Sequence, residues 1–289
     1  MSTPKRENSA TVSLQAEGLG RISKELRRDI VSMTHMAASG HPGGSLSEID
    51  ILTALYFNVL NIDPGKPDWS DRDRFVLSKA HACPGLYAAL SRRGFFPHAE
   101  LASFRKIDSR IQGHAHTKTP GVEMSGGSLG QGLSFGVGLA LGARLRAKSW
   151  NTWVLLGDGE CDEGQIWEAA MSASHYGLSN LKAIVDRNRI QNDRTTDEVM
   201  KLEPLADKWR AFGWKVFEVD GHSMSEILAV LHRAAEEQSG PVVVIAHTVK
   251  GKGVSFMENN PAFHGAAPND QELVQALKEL DQEENDTSL

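Results

Sequence analysis

The chain has 289 residues, 40% hydrophobic and 24% charged, with 31 Lys and Arg set against 37 Asp and Glu for a formal net charge of −6. This composition excludes a wholly disordered chain, and the negative balance with only 7% aromatics argues against a nucleic-acid partner. Two cysteines, Cys83 and Cys161, make no disulfide framework, no apolar run nears the roughly 18 residues of a bilayer span, and Met1 to Ala10 hold no apolar signal core, so a soluble cytoplasmic protein without a membrane partner is expected.

Residues 1–17 are polar and are expected to form a flexible N-terminal segment. From Leu19, apolar side chains recur at three- and four-residue steps (Leu19, Ile22, Leu26, Ile30, Met33, Met36), which predicts a helix. Ser39-Gly40-His41-Pro42-Gly43-Gly44 stops it. Ser45 or Ser47 is expected to cap the next helix, which runs through Ile49, Leu52, Leu55 and Tyr56. Asn61 to Asp73 reads as a loop, Arg74 to Ser78 as a strand, and Pro84 to Arg93 as a helix. Gly113 to Gly132 is a long loop of Gly, His, Ser and Thr, a length usually kept for function or disorder. It opens into a small-residue helix, Leu133 to Ala147.

Four further strands follow, Thr152 to Leu156, Leu181 to Val185, Lys215 to Val219 and Val242 to Ala246. Helices at Glu163 to Tyr176, Pro204 to Phe212 and Ser225 to Gln238 alternate with them. Apolar strands separated by helices predict an α/β fold, a parallel sheet covered by helices on both faces. Asp270 to Leu289 reads as a solvated acidic helix. No repeat and no linker separates two cores, so residues 18–268 are expected to form one domain, followed by an acidic C-terminal helix or tail over 269–289.

The chemistry gathers where strands end. In a parallel sheet, ligands bind beyond the carboxyl ends of the strands. Gly157-Asp158-Gly159 ends one strand, and Asp186-Arg187-Asn188-Arg189-Ile190 ends the next. Adjacent strands would bring Asp158 and Asn188 together. One carboxylate, one amide oxygen and one main-chain carbonyl suit Mg²⁺ or Ca²⁺, with a diphosphate completing the shell. A turn aspartate that only bonds its own backbone is the plainer reading of the tripeptide alone. His114 and His116 lack the third ligand of a zinc site. The Gly126 to Gly132 loop lacks both the GxGxxG and the GxxxxGKS/T spacing, and no apolar strand precedes it, so it is not a nucleotide loop.

Gly157-Asp158-Gly159 followed by Asn188 resembles the thiamine-diphosphate motif. More of the chain resembles the transketolase family: Ser39-Gly40-His41-Pro42-Gly43-Gly44, Arg72-Asp73-Arg74-Phe75-Val76-Leu77-Ser78-Lys79-Ala80-His81, Gly113-His114, Ser128-Leu129-Gly130-Gln131-Gly132 and Phe263-His264-Gly265, in the family's order. The resemblance implies the diphosphate domain of a thiamine-diphosphate-binding fold. Its implied cofactors are thiamine diphosphate and Mg²⁺, with Ca²⁺ or Mn²⁺ as substitutes. It implies that Asp158, Asn188 and the Ile190 main-chain oxygen hold the metal. Gly157 and Gly159 would meet the diphosphate, and Gly127 and Leu129 would touch the pyrimidine end. His41, His81, His114 and His264 would approach the diphosphate, thiazolium or sugar. Among these, His114 and His264 would bond the donor sugar, and His41 would assist proton transfer. Glu163 and Glu168 match glutamates of a proton network linking two active sites across a dimer, and Glu163 would also be among the residues binding the cofactor, although the helix dipole also favours acidic residues there. Lys250-Gly251-Lys252-Gly253 is a solvated charge run taken alone and an active-site loop by resemblance. His35, His98, His175 and His232 read as ordinary surface or structural groups.

In the family, the glutamate that bonds the pyrimidine and most arginines for substrate phosphate lie in a second domain, and no second sheet pattern follows here. The resemblance therefore implies the N-terminal subunit of a split transketolase. A separate C-terminal subunit, with the pyrimidine-binding and C-terminal domains, would complete an α2β2 enzyme. That enzyme would transfer a two-carbon ketol unit from a ketose phosphate to an aldose phosphate, as in pentose-phosphate metabolism. An α-type subunit of a 2-oxoacid dehydrogenase is the alternative enzyme, and the SGHPGG and HGA signatures favour ketol transfer over it. A degenerate assembly subunit is the non-enzyme alternative, and the intact Asp158, Asn188 and histidine set speaks against it. Three departures stand out: Ala115-His116 where Pro often follows the GH histidine, Arg187 where Asn often precedes the motif asparagine, and Ala80 where Gly is common. The first sits near the sugar channel and leaves room for an unusual sugar.

Overall fold

A computed structural model describes residues 9–286, with side chains over 14–282. In chain order the elements are α1 (Ser9–Met36), α2 (Pro42–Ala54), β1 (Arg74–Leu77), α3 (Cys83–Arg93), α4 (Gln131–Leu145), β2 (Thr152–Gly157), α5 (Gly164–His175) and β3 (Leu181–Arg187). A short hairpin, β4 (Ile190–Gln191) and β5 (Arg194–Thr195), precedes α6 (Thr196–Val199) and α7 (Leu205–Ala211). The chain ends with β6 (Lys215–Asp220), α8 (Met224–Glu236), β7 (Val242–His247) and α9 (Asp270–Asp286).

The main sheet has five strands in the order β1-β2-β3-β7-β6, and every pairing is parallel. Side chains alternate along each strand, so successive residues enter different cores. Trp153, Leu155, Ile184 and Val244 join one core with Leu26 of α1, Ile49 and Leu52 of α2, Leu86 of α3 and Leu228 of α8. Val154, Leu156, Val185 and Val243 join the other with Leu133 of α4, Ile166 of α5 and Trp209 of α7. The α/β parallel sheet with helices on both faces follows from this division. β2 and β3 carry apolar side chains on both faces because both faces are covered.

Several boundaries differ from the sequence reading. α1 begins at Ser9, so 9–17 of the expected flexible segment are helical, while 1–8 lie outside the described residues. Apolar periodicity marks only the buried length of a helix. Neither Ser45 nor Ser47 caps α2. The helix starts at Pro42 with His41 as its N-cap residue. The Ser45 hydroxyl donates back to His41 O (2.8 Å), and the Ser47 hydroxyl donates to Asp186 Oδ2 (2.6 Å). Every residue of α2 is buried. Strands β2, β3, β6 and β7 run one or two residues past the apolar run, through Gly157, Arg187, Asp220 and His247. The ladder continues after hydrophobicity stops. α9 is not merely solvated: Ala276 and Leu280 are buried in the first core, and the helix packs on α1. Residues 287–289 of the expected tail lie outside the described residues.

Lys182, the second residue of β3, is a buried cation whose ammonium donates to Glu237 O (2.9 Å). Burial lowers its pKa from 10.5 to about 8. Between those values the unfolded chain binds the extra proton, so stability rises with pH across that window. Lys182→Met is therefore expected to melt a few degrees above the parent at pH 7, with the gap closing as pH rises from about 8 to about 10.5. A gap that stays constant in thermal melts across that range contradicts the assignment.

Candidate active site

β2 ends at Gly157, opposite Asp186, one residue before β3 ends. The chain then turns at both ends. Asp158 Oδ1 accepts from Gly159 N (2.8 Å), and Oδ2 accepts from Arg189 N (2.6 Å) and from the Arg187 guanidinium (2.9 Å). Burial, followed by the nearby Asp186, raises the pKa of Asp158. The Asn188 amide nitrogen donates to Asp186 Oδ2 (2.8 Å), which leaves its oxygen toward Ile190, whose N–H it accepts (3.1 Å). Ile190 O in turn accepts from Lys250 Nζ (3.3 Å). The turns after the two strands thus gather the carboxylate, amide and main-chain oxygens expected from the sequence. Among the described residues no cluster of three His, Cys, Asp or Glu side chains could hold a metal ion. This oxygen set would need a ligand to complete a shell.

These residues line a cavity of about 360 Å³. Gly127, Leu129, Gly157 and Gly159 line it as well. A Cβ on Gly159 would fall 2.7 Å from Gln191 Cγ, so any larger residue there would push the Gln191 side chain aside. Glu160 holds the Gly127 and Leu129 loop to the end of β2. One of its oxygens accepts from Gly130 N (2.9 Å) and from the Ser78 hydroxyl, and the other accepts from Gly157 N (2.9 Å).

Three histidines line the same cavity, one from each of three segments. His41 precedes α2, His81 follows β1, and His264 ends a turn of 3-10 helix, Pro261–His264. The His41 ring centroid lies 5.1 Å from that of His81, 5.5 Å from His264 and 6.4 Å from His114. His114 is exposed beside this group. Burial, with help from Arg105, His114 and Lys250, lowers the pKa of His41 to about 4. Burial and then Lys250 lower His264 to about 3. Burial and Lys79 hold His81 well below its usual value, and burial with Arg105 lowers His114. All four are therefore neutral at pH 7, and each offers one donor and one acceptor nitrogen. His41 Nδ1 is buried without a hydrogen-bond partner among the described residues.

Two buried lysines face this cavity. The Lys79 ammonium is enclosed by Asp186 Oδ2 (2.5 Å) and Glu48 Oε2 (2.8 Å). Burial opposes ionising Asp186, but Lys79 holds its pKa below the usual range. Burial raises Glu48 to about 8 despite Lys79. Lys250 has no such partner. Its ammonium donates to His264 Nδ1 (2.7 Å) and Ile190 O (3.3 Å), with no carboxylate ion-paired to it among the described residues. Burial and the nearby Lys79 lower its pKa to about 8.

Glu163 and Glu168 are not part of the cavity wall. Both are exposed, at the start of α5, with Glu163 as the N-cap residue making no side-chain capping bond. The other histidines lie elsewhere: His35 bonds Pro268 O, His98 bonds Asp29, His232 bonds Asn58, and His175 packs on Tyr176. Sequence reasoning did not single out Glu48, Lys79, Glu160 or Asp186. Each is a polar residue within or at the end of a buried element: Lys79 and Glu160 line the cavity, and Glu48 and Asp186 stand behind it against Lys79.

Residues 21–287 match the family described as transketolase, thiamine diphosphate binding domain. The chain is 42% identical over 267 residues to one of the apulose-4-phosphate transketolase subunits of Phocaeicola vulgatus, covering 92% of this chain and 95% of that one. It is 44% identical over 245 residues to 6-deoxy-6-sulfo-D-fructose transketolase subunit SqwG of a Clostridium species, covering 84% and 89%. The crystal structure of Campylobacter jejuni transketolase superposes with a TM-score of 0.87 at 31% identity, covering 91% of this chain and 42% of that one. The chain thus spans about two fifths of that solved transketolase and nearly the whole of the two subunit relatives. By fold, motif order and sequence identity, the chain belongs to the transketolase family, in which it is the thiamine diphosphate binding domain.

Proposed function

We propose that this chain is the thiamine-diphosphate-binding subunit of a split transketolase, which moves a two-carbon ketol unit from a ketose phosphate to an aldose phosphate. The observation that carries this reading is the cavity at the ends of β2 and β3, where oxygens of Asp158, Asn188 and Ile190 meet a buried lysine without a carboxylate. The donor set fits a hard cation that keeps sites for phosphate oxygens and water, such as Mg²⁺, with Ca²⁺ or Mn²⁺ able to replace it. The glycine backbone at Gly159 and the ammonium groups of Lys79 and Lys250 fit a polyanion. When bound, thiamine diphosphate supplies an electron sink for breaking the carbon–carbon bond beside a ketose carbonyl.

The remaining work falls to this chain's residues. Asp158, Asn188 and Ile190 O would hold the metal, and Lys250 would neutralise the diphosphate. Gly127 and Leu129 would border the pyrimidine end. Neutral His114 and His264 can donate to sugar hydroxyls or to a developing oxyanion, and neutral His41 can take and return a proton. The enzyme would be incomplete without a polypeptide for the pyrimidine half. Among the described residues there is one five-stranded sheet and one two-stranded hairpin, with no second α/β sheet. The relatives named as subunits support a separate partner, and an α2β2 complex is the simplest assembly with two shared sites. Glu163, exposed beside the cavity loop at Gly130, and the exposed Glu168 on α5 would meet that partner. His116, with relatives named for apulose-4-phosphate and 6-deoxy-6-sulfo-D-fructose, favours a donor other than the common pentose phosphates. No helix among the described residues is long and apolar enough to cross a membrane, and the buried free thiols of Cys83 and Cys161 suit a reducing cytoplasm.

Three outcomes test the reading. The isolated chain is expected to show no ketol transfer, and coexpression with a pyrimidine-domain polypeptide from the adjacent gene is expected to restore it; full activity of the chain alone contradicts the split. Asp158→Ala is expected to weaken Mg²⁺-dependent thiamine-diphosphate binding by the complex about a hundredfold or more in calorimetry, and unchanged affinity removes the metal role. Glu163→Gln is expected to weaken association with the pyrimidine-domain polypeptide in sedimentation while leaving the melting temperature of the isolated chain unchanged. Equal association constants would take Glu163 out of the interface.

A further inference from the structure

Lys250 lies in the segment that follows β7, and that segment is tied at several points. Gly251 N donates to Gly43 O (3.0 Å), and Arg27 Nε donates to Lys252 O (3.1 Å). Gly251 has φ +81°, and a Cβ there would fall 2.2 Å from Met257 O, so the turn is fixed by its glycine. Thr248 N donates to Arg187 O (3.3 Å) and Asn259 N to Lys250 O (2.9 Å), and a further tie passes through His222, in the turn between β6 and α8. Val249 N donates to His222 Nε2 (2.8 Å), and His222 Nδ1 donates to Asp50 Oδ2 (2.8 Å). Because Nε2 accepts an N–H, the ring proton must sit on Nδ1, and the imidazole is neutral. Asp50 is itself immobilised by two bonds from the Arg27 guanidinium (3.0 and 2.6 Å) and one from the Ser23 hydroxyl (2.6 Å). The turn carrying His222 packs directly on the segment, since a Cβ on Gly221 would fall 2.4 Å from Thr248 Cγ2.

We propose that His222 is a positioning residue for diphosphate binding: it fastens the backbone one residue before Lys250 to the buried Arg27–Asp50 pair, so that the lysine ammonium is held at the cavity rather than free to leave it. His222 does not line the cavity and touches none of the proposed metal oxygens. Its effect passes through the Val249 N–H. A buried cation without a carboxylate partner gains by swinging toward water, and the tie opposes that escape. The inference rests on the reading of the cavity as a diphosphate site.

The test is calorimetric titration of inorganic diphosphate with Mg²⁺ into the full chain, with thermal melts of each unliganded variant as a folding control. Lys250→Met is expected to weaken binding about tenfold, the usual worth of a buried charge-assisted bond. His222→Asn keeps a donor near Asp50 but cannot reach Val249, and is expected to weaken binding about fivefold. His222→Gln restores an acceptor within reach of Val249 and is expected to recover most of the loss, a contrast that general destabilisation would not produce. The double variant His222→Asn with Lys250→Met is expected to bind no worse than Lys250→Met alone, because both act through one ammonium. Fully multiplicative losses, about fiftyfold, or unaltered affinity in His222→Asn, overturn the positioning role while leaving the diphosphate site standing. Absence of binding by the unsubstituted chain, by itself and in complex with its partner, overturns the site and this inference with it.

Discussion

The parallel pairing of β2 with β3 is the constraint from which the site follows. Gly157 faces Asp186 in the ladder, and Asp158 N donates to Asp186 O (3.3 Å) just as the chain turns. Side chains alternate between faces, so a slip of one residue would exchange the contents of the two cores, sending Val154 and Leu156 where Trp153 and Leu155 belong. Burial on both faces therefore fixes how far each strand projects. That depth decides that Asp158 and Asn188 emerge beside each other, and core packing is converted directly into the placement of the proposed metal oxygens.

Charge is the second organising force. Lys79, Asp158, Asp186, Arg187 and Lys250 are all buried, and removing one partner of a buried ion pair costs about 3–5 kcal/mol. Lys79 is matched by Asp186, and Arg187 by Asp158 and Glu203. Only Lys250 is left without a counter-ion among them. The fold carries this imbalance into the cavity, where an anionic ligand would relieve it. Arg187, standing where the family often has Asn, adds a local feature: its guanidinium also bonds Thr196 Oγ1 (3.0 Å), so Asp158 is tied to the segment after the β4–β5 hairpin.

Much of this was legible in the sequence, because strands such as Trp153-Val154-Leu155-Leu156 and Val242-Val243-Val244-Ile245 have no other good use. The oxygens of Asp158 and Asn188 were legible because polar residues at two successive strand ends imply neighbours. Glu48 was not. It sits between Ser47 and Ile49 on a helix whose polar face would ordinarily be solvated, and only the packing of α1, α3 and α8 around α2 buries it. Asp186 was hidden for a related reason: its strand extends two residues past the apolar run, and its carboxylate serves Lys79, Ser47, Asn188 and Thr248 from four separate parts of the chain. The histidines required the family resemblance, since spacing alone does not bring residues 41, 81 and 264 to one wall.

Lys250 joins the two ends of that wall. Its ammonium lies against Ile190 O, among the proposed metal oxygens, and against His264 Nδ1 at the histidine end. An ammonium can only donate, so His264 must accept through Nδ1 and carry its proton on Nε2. One buried cation thereby sets both the electrostatics of the anion-binding floor and the tautomer of a histidine on the opposite side. Its low-dielectric setting also keeps the ring neutral, because a protonated His264 would place a second positive charge within 3 Å of the first. The histidine wall offers neutral rings that donate and accept hydrogen bonds near neutral pH, because the lysine beside it holds the positive charge.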